Sequence, residues 1–226
     1  MEIIIPDNLS EITLKQFLKF KEVDIEKSTD LFVAQKMISI FCNLDIKVVE
    51  SLPMKDFQEI SNLLVDLLNT EPSFTPRFNY KGKEYGFIPN LDTMTFGEYI
   101  DIDNAFKEED LNSFLQVVYR PITKTLLGKY EVEPYNVENL IDMNDVPYGV
   151  YKGAEVFFYR LGKDLLKAMM NYLQTQAVEN SQKSILILGV NGVGIIQLLN
   201  SLEEISSNLT ELQNLKSVKR LHISAT

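Results

Sequence analysis

The chain has 226 residues, 45% of them hydrophobic and 24% charged, which suits one large globular domain or two small ones with a sizeable core. A formal net charge of −10 and a pI near 4.7, with lysine and arginine scattered except near the end, argue against the concentrated basic surface that a nucleic-acid partner needs. One cysteine, Cys42, excludes an internal disulfide, and no Cys/His cluster offers a zinc site.

The opening "MEIIIPDNLSEI" lacks the basic flank and long apolar run of a signal peptide, and no window approaches the roughly 20 apolar residues of a bilayer span. A cytoplasmic chain without a membrane partner is expected. "TLKQFLKFKEV" predicts a first helix with Leu14, Phe17, Leu18 and Lys21 on one face, entered through a Thr13/Gln16 capping box. A second helix starts at Ser28 or Thr29, aligns Leu31, Ala34, Ile38, Phe41 and Cys42 on one stripe and stops at Asn43, which makes Cys42 a core residue. A helical turn over Ile46–Glu50 and a break at Pro53 precede a third long helix carrying Phe57, Ile60, Leu64, Leu67 and Leu68 inward.

After "TEPSFTP", whose two prolines mark a junction, "RFNYKGKEYGFIP" has the alternation and Lys81-Gly82 turn of a β-hairpin. Helix resumes with a Thr95/Glu98 capping box and continues through Leu111, Phe114, Leu115 and Val118 until Pro121. "KYEVEPY" reads as a third short strand that joins the hairpin, since a two-stranded ribbon alone is marginal. From Val146 a long helix places Phe158, Leu161, Leu165, Ala168 or Met169 and Tyr172 on a stripe read as core. "QTQAVENSQKS" reads as a polar hinge or loop, and the chain then carries Ile195, Leu198, Leu199, Leu202, Ile205, Leu209, Leu212 and Leu215 at spacings of three and four. The fold class expected is α+β and predominantly α-helical. A helical unit over residues 1–71 precedes an α+β domain over 72–180 with a small antiparallel sheet built on the hairpin, and a C-terminal helical arm covers 181–226.

Three stretches invite a chemical reading. "SILILGVNGVGIIQLL" has Gly189, Gly192 and Gly194 after an apolar run, but no lysine follows Gly194 as a phosphate-binding loop requires. Position 197 is Gln197 rather than the third glycine of a dinucleotide loop, and no later strand completes the unit, so neither a nucleotide nor another cofactor is expected. Asp92, Glu98, Asp101 and Asp103, with the run Glu108, Glu109 and Asp110, offer carboxylates for acid–base work or a metal. The sole histidine, His222, is far off and the spacing matches no calcium loop, so these are read as a solvated helix face. "KSVKRLH", Lys216–His222, is read as complementing a helix C-terminus.

Two partnerships are expected from side-chain chemistry. Arg120, just before Pro121, is expected to pair with a carboxylate of the Glu98–Asp103 helix, Glu98 or Asp101, or to cap carbonyls, because its planar fork suits bidentate contacts. Leu198, Leu202, Ile205, Leu209, Leu212 and Leu215 exceed what a lone helix leaves in water, so they are expected to bind a partner, a second copy or the chain itself.

Two segments also carry a resemblance. "FCNLDIKVVESLPMKDFQEISNLLVDLL" resembles the short helix, Asp-containing turn and long helix of tailed-bacteriophage tail assembly chaperones. "GKEYGFIPNLDTMTFGEYIDID" with "VVYRPITKTLLGKYEVEPY" resembles structural-module proteins of tailed phages, the crAss-like gut phages among them. The resemblance implies a non-enzymatic protein that binds other phage structural proteins during virion assembly in the host cytoplasm. Tail chaperones are usually smaller and mostly helical, and the hairpin and leucine seam here leave open a permanent virion or packaged component. An unrecognised nucleotide-binding protein or enzyme is the second alternative.

Overall fold

The computed structural model describes the backbone of residues 3–183 and the side-chain surroundings of residues 3–172. Helix α1 (Leu14–Lys21) starts at Thr13, whose hydroxyl accepts from the Gln16 amide while the Gln16 side chain accepts from Thr13, the reciprocal capping expected. Its buried positions are Leu14 and Phe20; Phe17 is half-buried and stacks on Tyr148. Helix α2 (Asp30–Phe41) is capped by Thr29 and ends before Asn43, which takes a φ of 53°. Ala34, Ile38, Phe41 and Cys42 are buried as expected, but Leu31 is exposed and Val33, Met37 and Ile40 point inward instead. Short α3 (Ile46–Glu50) is capped by Asp45, and α4 (Met54–Asn69) follows Pro53 with Phe57, Ile60, Leu64, Leu67 and Leu68 all buried. Burying each such side chain contributes about 1.5–3 kcal/mol.

Strands β1 (Arg77–Tyr80), β2 (Lys83–Phe87), β3 (Tyr119–Leu126) and β4 (Lys129–Val132) form an antiparallel sheet in chain order. The 119–126 strand departs from the expectation of helix up to Pro121. α6 (Leu111–Val118) ends earlier: Tyr119 is already extended at φ −119°, ψ 125°, and Pro121 disfavours helix at Arg120 as well. Pro121 is tolerated because it is the final β2–β3 pair, opposite Tyr85, after which β3 passes through an irregularity to pair with β4. "KYEVEPY" thus supplies a fourth strand, joined to the hairpin through β3. Gly86 makes room for the Tyr130 ring, since a Cβ there would lie 2.4 Å from it. The Tyr130 hydroxyl donates to the Phe87 carbonyl at 2.8 Å, and Tyr119 donates to Thr75 at 2.7 Å.

Between β2 and β3 lie α5 (Phe96–Lys107), with its Thr95/Glu98 capping box, and α6, entered through Asp110. The N-terminal segment is tied to the far end of this region. Thr13 bridges Pro147, the Leu14 amide donates to Val146 at 2.8 Å, and the Tyr148 amide donates to Ile12 at 2.7 Å. Residues up to Ala154 therefore form one compact unit holding both the 1–71 helices and the sheet, and a second unit begins at Glu155.

Helix α7 (Tyr148–Lys183) runs through residues 174–183, expected as a hinge or loop. That stretch has no glycine or proline and is rich in Gln, Ala, Glu and Lys, which favour helix. The α7 stripe read as core is not buried: Leu161, Leu165, Met169 and Tyr172 are 39 to 65% exposed. Periodicity identifies a face but not what covers it. The glycine stretch at 189–194, the seam at 198–215 and the basic run at 216–222 lie outside the described residues.

Candidate functional site

Among the expected site residues the structure brings Arg120 and Glu98 together. Arg120 Nη1 lies 2.9 Å from Glu98 Oε1, with side chains only 12% and 4% exposed. Glu98 occupies the third position of α5 and accepts from the Thr95 amide at 2.5 Å, so one carboxylate both caps the helix and neutralises the strand arginine. It is therefore buried and paired, not part of a solvated face. Arg120 Nε is buried without a hydrogen-bond acceptor. Asp101 is engaged by another group: the Tyr135 hydroxyl donates to its Oδ2 at 2.6 Å. Burial first, then this bond and the Asp101 charge, raise the Tyr135 pKa, so its hydroxyl stays a donor. No sequence signal links Tyr135 to Asp101, 34 residues away.

Three of the other carboxylates take separate structural roles. Asp103 pairs with Lys107 at 2.5 Å, Glu109 pairs with Lys21, and Asp110 caps α6 by accepting from the Ser113 amide at 3.0 Å. No group of three His, Cys, Asp or Glu among the described residues is arranged to hold a metal. Cys42, as expected of a core residue, is buried, and burial pushes its thiol up to about 11.

Beside Arg120 and Tyr135 opens a cleft of about 360 Å³, walled also by Lys83, Gln116, Asn136 and Asn139. Gln116 is committed to the Ile141 carbonyl at 2.7 Å, and the arginine charge is offset by Glu98. Tyr85, Tyr119 and Tyr135, which also line it, have pKa values raised mainly by burial, and the hydroxyls of Tyr119 and Tyr135 are committed to Thr75 and Asp101. Arg120, Gln116, Tyr119 and Tyr135 are thus all engaged within the chain, and Lys83 and Glu133 are the other charged residues of the wall.

Large apolar side chains are exposed at several places, among them the α7 stripe, the α5 face with Phe96, Tyr99 and Ile100, and the β3–β4 turn with Leu126 and Leu127. Exposed apolar surface, where it is contiguous, is a common feature of interaction sites and ligand grooves. No helix among the described residues is long and apolar enough to cross a membrane. Nothing among protein-family models, curated proteins or solved structures matches the chain.

Proposed function

We propose that this chain is a non-enzymatic assembly protein of a tailed bacteriophage, working in the host cytoplasm by binding other phage structural proteins as tail assembly chaperones do. The observation that carries the reading is the α7 stripe: Leu161, Leu165, Met169 and Tyr172 recur at intervals of four, four and three and face solvent. Such a stripe lowers the free energy of a complex by about 1.5–3 kcal/mol for each large side chain it buries there. The leucine seam from Leu198 to Leu215 extends the apolar material available for binding, and the net charge of −10 keeps a sticky protein soluble.

The test is co-expression of the tagged chain with the structural proteins encoded beside it, together with mass spectrometry of purified particles. A chaperone forms a complex in cells and is missing from particles, whereas fixed copies in every particle make it a virion component. Leu165→Ser with Tyr172→Ser should abolish the complex without altering melting. A complex that survives those substitutions refutes the α7 stripe as the binding surface.

A further inference from the structure

The sheet contains two tight turns of one geometry and opposite chemistry. Lys81-Gly82 has φ of 48° and 77°, and Leu127-Gly128 has φ of 50° and 79°. Positive φ at both central positions suits a two-residue hairpin, and Asn, Asp or Gly adopt the first position with least strain. At 127 a leucine takes that conformation while 95% exposed, beside Leu126 at 63%. The first hairpin meets the same backbone requirement with a lysine, so the fold does not call for an apolar side chain at the tip.

The tip is also basic on an acidic chain. Lys124 and Lys129 flank the two leucines; Lys124 approaches Glu131 only to 3.8 Å, and Lys129 forms no ion pair among the described residues. The complementary chemistry lies on α5. Phe96 is 78% and Tyr99 61% exposed, Ile100 joins them, and exposed Asp92 lies just before the helix, whereas Asp103 one turn on is already paired with Lys107. Within one molecule the strand carries the tip away from the point where β3 meets α5. Arg120 touches Glu98 of α5, and Leu127 is seven residues farther along extended chain, roughly 24 Å at about 3.4 Å per residue.

We propose that the β3–β4 tip of one copy docks on the α5 face of a second copy, its leucines against Phe96 and Tyr99 and Lys129 toward Asp92. The two surfaces differ, so the contact is head-to-tail and propagates into a ring or an open chain of copies. An anionic membrane is a poorer occupant, because it repels the rest of a chain with a net charge of −10.

Sedimentation velocity of the full chain over a concentration series tests this. Leu127→Asn removes the apolar tip with a residue suited to positive φ, and Phe96→Ser with Tyr99→Ser removes the face; thermal melting checks that both variants fold. The parent should grow in mass with concentration, less so at high salt, and each variant should lose that growth. An equimolar mixture of the two variants should form a one-to-one pair that grows no further, because only one competent contact remains. A parent whose mass does not change with concentration, growth that persists in either folded variant, or a mixture that fails to pair overturns the proposal.

Discussion

Replacing Arg120 with alanine isolates the energetic role of the buried pair. The substitution leaves the Glu98 carboxylate, 4% exposed, with its Thr95 amide donor but without the guanidinium 2.9 Å away. An uncompensated buried charge of this kind costs about 3–5 kcal/mol. Total stability is typically about 5–15 kcal/mol, so this is a large share of what holds the unit together. At about 2–4 °C per kcal/mol for a chain of this size, melting should fall by roughly 6–20 °C. The exposed Lys107–Asp103 pair is the control, since Lys107→Ala should change stability by less than about 1 kcal/mol. Replacing both partners, Glu98→Gln with Arg120→Met, should recover most of the loss, because no charge is then left unpaired. The reasoning is refuted if Arg120→Ala melts within about 2 °C of the parent, a shift worth no more than a surface pair.

Gln16→Glu looks favourable by capping rules, yet the Gln16 Nε2 donates to the Ile40 carbonyl at 2.9 Å at the end of α2, so the change should cost about 1–3 kcal/mol in urea unfolding. Two glycines of α7 should respond with opposite signs. Gly153→Ala places a Cβ 2.8 Å from the Ser73 carbonyl and should destabilise by about 1–3 kcal/mol, whereas Gly162→Ala meets nothing within 4 Å and should stabilise by up to about 1 kcal/mol. Cys42 should resist alkylation at pH 8 in the folded state. Its thiol is raised from 9.0 to about 11, so the folded state favours the protonated form; that contribution is complete below pH 9 and lost between pH 9 and 11, a loss that Cys42→Ala should abolish. Adding ATP or GTP with magnesium should leave the melting temperature unchanged, because no lysine follows Gly194.

The α+β, helix-rich class was legible, and so were the elements whose ends are marked by local chemistry. Thr13, Thr29 and Thr95 announce helices α1, α2 and α5 through side-chain caps, and Lys81-Gly82 announces the first hairpin. Strand β3 was hidden because Pro121 is an equally good sign of a helix ending and of a strand entering, and only pairing with Tyr85 on one side and Tyr130 on the other separates the two. Leu31 and the α7 stripe were misread for another reason: an apolar residue at helical spacing records a face, while burial depends on a neighbour that the spacing does not name. Arg120 was legible as a residue needing a carboxylate, because a lone arginine before a proline in a lysine-rich chain stands out. The choice between Glu98 and Asp101 was not, since it depends on where Tyr135 comes to rest.

The bridge from Thr13 to Pro147 has a consequence for synthesis. Ile12 and Leu14 are fully buried, and the backbone groups around them pair with residues 144 to 149. A ribosome adding about 5–20 residues per second delivers those partners roughly 7–27 s after the N-terminal segment. During that interval residues 9–15 have been made without the strand-like cover they need, so cotranslational folding here cannot proceed in simple N-to-C order. Ribosome-bound chains arrested before residue 144 should be digested by protease at the 9–15 segment, and chains arrested far enough beyond residue 154 for it to clear the exit tunnel should be protected there.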